Sequence, residues 1–261
     1  MKRAAAYAAL LMLAVFVLSA AASLAGVPAW LERVPQLALA FGGAATAAAA
    51  FSTGDPPRRG WLLLVGATGL ALCIGPILAG GVRLAGLPLA PCLIIVANLL
   101  MASASLVLLA VLRASGLAPP WSGGWKLGAV AGLLGSLALG ASVVMTMDVA
   151  PGVDGAAWSA RRIVGVAADI IVFNAALGML RITLPMQRGL VAVPYFLLAA
   201  AAGLFMAVGL GLALANALAQ TELGLVGRIV DTAAWCCIGL AGLAQAQTLR
   251  AAADPLDDPA D

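Results

Sequence analysis

The stretch Arg161–Pro185, RRIVGVAADIIVFNAALGMLRITLP, decides the fold class. Its apolar run, Ile163–Leu184, is interrupted by one acid, Asp169, one amide, Asn174, and, near its end, Arg181. About 20 apolar residues are what a helix needs to cross the hydrocarbon of a bilayer. Only a helix satisfies all the backbone polar groups of a single segment there. The stretch therefore reads as a membrane helix that carries a carboxyl group into the apolar phase.

The rest of the chain has the same character. Of 261 residues, 64% are hydrophobic and 10% charged, and the mean hydropathy is +1.09. A soluble domain carries about 25% charged residues, so this chain cannot cover a water-facing surface. Turn and charge signals cut it into eight apolar segments: Ala4–Gly26, Gln36–Ser52, Trp61–Gly80, Leu89–Leu112, Leu127–Asp148, Ile163–Leu184, Leu190–Gln220 and Ile229–Leu249. Gln36–Ser52 is the shortest and rich in alanine. The basic start MKR, the run LLMLAVFVL and SAAAS imitate a signal peptide, but the apolar run continues past that point and reads as a retained helix. Short connections make neighbours antiparallel. The expectation is an all-α integral membrane helical bundle of about eight transmembrane helices. It forms one domain over 1–253, with a short acidic cytoplasmic tail at 254–261.

The third and fourth segments resemble the seventh and eighth. Each pair is a helix, a Gly-containing connection and a second helix ending in Leu-Arg, at Leu112-Arg113 and Leu249-Arg250. The second and sixth segments both precede Arg-Gly connections. This suggests halves at 1–126 and 127–253 in a 4+4 repeat. An offset of four spans keeps both copies in one orientation, so the repeat is parallel. Basic residues orient the whole. With the N-terminus inside, Lys2, Arg3, Arg58, Arg59, Arg113, Lys126, Arg181, Arg188 and Arg250 are cytoplasmic, against Arg33, Arg83, Arg161, Arg162 and Arg228 outside. Both termini are then cytoplasmic.

Several chemistries are excluded or unsupported. The chain has no histidine, which removes imidazole catalysis and His-ligated haem or zinc. Cys73, Cys92, Cys236 and Cys237 lie in or at the edges of apolar segments, without C-x-x-C spacing. There is no Walker loop, nucleophile elbow or dinucleotide fingerprint, and no basic patch suited to nucleic acid. No metal or cofactor is expected, and no catalytic residue stands out.

RIVGVAADIIVFNAALGMLRITLP, with Asp169, and RIVDTAAWCCIGLAGLAQAQ, with Asp231 and Trp235, resemble two elements of a known group. They are similar to the multi-spanning membrane sensor regions of bacterial diguanylate cyclase and histidine kinase signalling proteins. The resemblance covers about the last 100 residues. It departs from that pattern in the seventh segment, where Asn216 stands in place of an acid, and no output domain follows the last helix. It implies a bacterial inner-membrane sensor that signals through another polypeptide.

The candidate functional residues are the polar groups inside apolar segments: Asp169, Asn174, Asp231, Trp235, Asn98 and Asn216. A charge at the centre of a membrane helix costs about 2.5–3.5 kcal/mol on insertion scales. Asp169 must therefore face the bundle interior, take a proton or find a partner, and intramembrane acids lean towards function. Asp231 reads as a helix-start acid, with Arg228 and Trp235 on its face and Trp235 as an interfacial anchor. Asn98 and Asn216 read as packing amides. Pro76 and Pro194 are candidate kinks.

The leading expectation is a non-catalytic polytopic inner-membrane sensor module. Its alternatives are a small-solute transporter or channel subunit, and a membrane-embedded lipid enzyme with Asp169 paired to Asp148 or Asp231. The partners are the lipid bilayer and a separate signalling protein. The oligomeric state stays open, a homo-oligomer included. In a background with the four native cysteines replaced, Val82→Cys is expected to react with an impermeant maleimide from outside. Ser115→Cys is expected to react only after permeabilisation, and the opposite pattern reverses the orientation.

Overall fold

The computed structural model describes residues 34–116, 118–119, 122–145, 152–186, 190–218 and 222–253. The first apolar segment, Ala4–Gly26, lies outside the described residues, as do Asp148 and the tail 254–261. The described chain is helical almost throughout: α1 (Val34–Ser52), α2 (Pro57–Ala79), α3 (Leu89–Ala114), α4 (Gly123–Met145), α5 (Gly152–Thr183), α6 (Val193–Leu218) and α7 (Glu222–Ala253). Four of these, α2, α3, α4 and α5, are long and apolar enough to cross a membrane. α1 and α6 contribute the shorter apolar stretches Gln36–Ser52 and Val193–Val208.

Three connections differ from the sequence reading. Val153–Arg162 reads as loop, yet α5 begins at Gly152. Likewise α7 begins at Glu222 rather than near Ile229. Loss of apolarity marks where a helix leaves lipid, which is not where its hydrogen bonding stops. At about 1.5 Å per residue, a helix of 32 residues runs ~48 Å, well beyond a hydrocarbon layer of about 30 Å. Arg161 and Arg162 therefore sit on α5 rather than in a loop before it. The third connection, after α2, is a small antiparallel hairpin of β1 (Arg83–Leu84) and β2 (Leu87–Pro88). Its two-residue turn, Ala85-Gly86, has φ of +50° and +82°, the two positive values such a tight turn demands. Pro194 lies at the second position of α6. The missing N–H costs nothing in the first turn, so Pro194 does not kink the helix as expected; Pro76 does lie inside α2.

Six helices close into a ring in the order α1, α2, α3, α5, α6, α7, with α7 returning to α1. α4 stands outside, packed on α5 and touching α6 lightly. The ring encloses one core, drawn from Ala49 and Ala50 of α1, Trp61 and Leu64 of α2, and Leu108 of α3. Met179 and Ile182 of α5, Leu198 of α6, and Ile238 and Ala241 of α7 complete it. The outward faces carry Leu62, Leu99, Leu106, Leu134, Leu137 and Ile171 exposed. An apolar exterior of this kind is consistent with a lipid surround.

Small residues set the helix spacing. Lipid is as apolar as leucine, so burial alone gives spanning helices little reason to associate, and close backbone packing takes over. α7 meets α1 at Gly242: a Cβ there would stand 2.6 Å from both the carbonyl carbon and oxygen of Ala45. At Gly239 a Cβ would meet the Phe41 ring at 2.7 Å. Similar fits join the other helices, Gly178 against Leu109 between α5 and α3, and Gly140 against Ile170 and Val166 between α4 and α5. The two ends of the bundle are tied by polar bonds. On the hairpin side, Arg83 donates two hydrogen bonds to Asp154, at 3.0 and 2.8 Å. That bond and the carboxylate charge raise the Arg83 pKa above its ordinary value. Both side chains are about half exposed, so the pair fixes position more than it stabilises.

Gly242→Ala is expected to destabilise the protein by about 1–3 kcal/mol, the cost of overpacking against atoms that cannot move. Gly69→Ala, on the same bundle but with open space around its Cβ, is expected to be neutral or slightly stabilising. Unfolding of both variants in mixed micelles measures the difference.

Candidate functional site

Asn98, Asp231 and Trp235 lie in the half of the bundle nearer the hairpin, with Asp169 at mid-height. Asp169 lies in the middle of α5, and Asp231 lies well inside α7. The two carboxylates interact electrostatically across α5 and α7, and Arg161, two turns before Asp169, acts on it with opposite charge. Arg161 also stands 5.8 Å from the centre of the Trp158 ring, within the range of a cation–π contact. Asp231 accepts a hydrogen bond from Trp235, one turn further along α7. Trp235 in turn packs edge-to-face on Phe205 of α6, with ring centres 5.3 Å apart and planes at 75°, an attractive geometry for aromatic rings.

α3 reaches the same region through Asn98. A Cβ at Gly165 would lie 3.3 Å from the Asn98 Nδ2, and Gly165 precedes Asp169 by one turn of α5. Glycine at 165 thus leaves room for the amide to approach the helix that carries Asp169. α1 closes the back: a Cβ at Gly42 would lie 3.4 Å from the Trp235 carbonyl oxygen. Beneath this layer is a cavity of about 20 Å³, walled by Phe205 and Ile238 among others, with Ser105 as its polar contact. It is large enough for about one water molecule. The Ser105 hydroxyl donates to the Met101 carbonyl at 3.0 Å.

This geometry corrects the reading of Asp231 as a helix-start acid. The helix begins at Glu222, and the dipole effect fades within the first turn, so the dipole does not explain Asp231. Trp235 is partly buried against the core rather than an interfacial anchor. Asn174 belongs elsewhere. Its amide donates to the Ser136 hydroxyl of α4 at 3.0 Å and to the Ile170 carbonyl at 2.8 Å. It fastens α4 to α5, away from the Asp169 face. The side chain of Asn216 lies outside the described residues, as does that of Arg228. Among the described residues, no group of three or more His, Cys, Asp or Glu is placed to hold a metal ion.

One residue that the sequence reading counted only among the cytoplasmic basic residues is central to the opposite end. Arg181, 4% exposed, donates to the Pro119 carbonyl in the connection after α3. Its place in the last turn of α5, within the run MLRIT, signals an arginine that cannot reach water without leaving its own helix face. Chemically, the hairpin-side cluster combines two acids, one arginine, an indole N–H and an amide. It suits an ion, a proton or a small ligand with hydrogen-bond donors.

No protein-family model, curated protein or solved structure matches this chain.

A double-mutant cycle on Asp231→Ala and Trp235→Phe is expected to give a coupling of about 0.6 kcal/mol, and no more than ~1.7, as for other hydrogen bonds in membrane bundles. Asn174→Ala and Trp235→Phe share no partner and are expected to add within about 0.5 kcal/mol. Unfolding in mixed micelles reads both.

Proposed function

We propose that this chain is a non-catalytic sensor module of the bacterial inner membrane, with eight spanning helices in two parallel halves and both termini cytoplasmic. The observation that carries the reading is that Asp169 and Asp231, far apart in sequence, lie within electrostatic reach of each other, with Trp235 packed on Phe205 beside Asp231. A ligand held by the two acids would act directly on α7. That helix continues without a break to Ala253, at the far end of the bundle from the cluster. It therefore links a site on one side of the membrane to a signalling partner on the other. A ligand shifts such an element only through its differential affinity for two arrangements, and repacking of Trp235 on Phe205 supplies the second arrangement.

The neighbour relations of the ring support the two halves. α1–α2 corresponds to α5–α6, α2–α3 to α6–α7, and α3–α5 to α7–α1. Each contact in the first half has its counterpart after an offset of four segments.

A second reading has one observation in its favour. Paired carboxylates within a membrane bundle can divide acid and base roles when their environments differ, and here Asp169 feels the charge of Arg161 while Asp231 takes the hydrogen bond of Trp235. Proton-coupled solute transport would use the same pair.

Crosslinking pull-down from native membranes tests the sensor reading. A kinase or cyclase is expected among the captured proteins, with recovery altered in Asp169→Asn and Asp231→Asn. Unaltered recovery in folded variants, together with Asp169-dependent solute uptake in proteoliposomes, transfers the function to transport.

A further inference from the structure

The interior of the ring, at the end away from the hairpin, holds a donor that the fold leaves unused. Trp61, near the start of α2, is fully buried. Its indole N–H has no hydrogen-bond partner among the described residues. Gly60 beside it accounts for the depth: a Cβ there would stand 2.6 Å from the Leu108 Cγ. α2 therefore lies close on α3 at this level, and the indole packs in the core with Ala49, Ala50, Leu108 and Ile182. A buried donor without an acceptor loses its bonds to water for nothing in return, and native proteins rarely keep one.

Two further polar side chains stand at the same height. Tyr195 of α6 is 7% exposed and shares the core with Trp61, and Gln245 of α7 is 9% exposed. Contacts between the helices fix the height. Gly43 of α1 faces Thr68 of α2, Gly242 of α7 faces Ala45 of α1, and Phe205 of α6 packs on Trp235 of α7. At about 1.5 Å per residue along each helix, these contacts bring Trp61, Tyr195 and Gln245 within about one turn of a common level. α2 and α6 occupy opposite sides of the ring, so a group that joins Trp61 to Tyr195 must lie across the interior.

The guest that fits accepts from the indole and donates in return. Water does both, and a buried water is typically held by about three hydrogen bonds. An indole N–H, a phenol hydroxyl and a carboxamide supply that number. An anion fits poorly: the core around Trp61 is alanine, leucine and isoleucine, where an added charge is costly. Arg181, the buried cation at this end, is directed to the Pro119 carbonyl.

We infer that the ring binds an ordered water molecule at Trp61, which accepts from the indole N–H and bridges to Tyr195 of α6 and Gln245 of α7. The water is a polar crosspiece between α2 and the two helices across the ring. It gives α7 a second polar contact, at the end opposite Asp231. The inference goes beyond the sensing role and does not rest on it.

Nuclear magnetic resonance on the full chain in mixed micelles, isotope-labelled in its tryptophan indoles, tests it. Replacing Trp61 by benzothienylalanine, which keeps the ring shape without the N–H, identifies the Trp61 signal. In the native chain the Trp61 indole proton is expected to show a cross-peak to water with the sign of a slowly exchanging, bound molecule. Tyr195→Phe and Gln245→Leu are each expected to weaken that cross-peak, and the two together to abolish it, with the Trp125 and Trp235 signals in place. The single variants decide where the double variant does not fold. No water cross-peak in the native chain overturns the inference. So does a cross-peak to detergent or lipid protons in its stead, or a water cross-peak that neither single substitution alters.

Discussion

Everything in this bundle depends on how closely α7 can approach α1. Helices in lipid gain little from hiding leucine from leucine, since the surroundings are equally apolar. What they gain comes from backbone contact, and that requires side chains small enough to permit it. Gly242 against the Ala45 carbonyl and Gly239 against Phe41 supply this where the chain's first described helix meets its last. This seam turns a row of hairpins into a closed ring. Without it, α6 and α7 would have no fixed relation to α1, and the central core would have an open side.

The ring also explains where polar groups can exist. Thr46, Thr68 and Thr232 are fully buried, and Thr46 and Thr68 return their hydroxyls to carbonyls of their own helices. They need nothing from a neighbour. An ionised Asp169 or Asp231 cannot be satisfied in this way, because a carboxylate only accepts hydrogen bonds and the N–H groups inside a helix are already used. They depend on other side chains: Trp235 for Asp231, and the charge of Arg161 for Asp169. A site whose members rely on one another across α5 and α7 is sensitive to small shifts between those helices.

The two ends of the molecule are held differently. On the hairpin side a half-exposed ion pair joins Arg83 to Asp154. On the other side Arg181 is buried and bonded to the connection after α3. Burying a guanidinium is costly unless its donors are engaged, so the loop carbonyl at Pro119 and the end of α5 constrain each other. The buried arginine and the half-exposed ion pair thus mark opposite ends of α5, with Asp169 between them.

The sequence by itself determined the helical class, the lipid-facing character and the position of nearly every described segment. Each of these follows from hydropathy and turn residues within a window of about 20 residues, which is all that a bilayer and a helix require. It also singled out Asp169, because an acid in such a run is conspicuous wherever it points. Three things were not legible. Helix ends such as Gly152 and Glu222 lie in polar sequence, where hydropathy is silent about hydrogen bonding. Asn174 and Asp231 look alike as polar residues in apolar runs, yet one bonds to Ser136 of α4 while the other takes Trp235 and feels the charge of Asp169. Above all, the ring order, with α4 excluded and α7 against α1, is a choice among many packings of similar apolar helices. Only tertiary structure makes that choice, because it turns on which glycine meets which backbone, and such a fit is a property of pairs of surfaces rather than of any one segment.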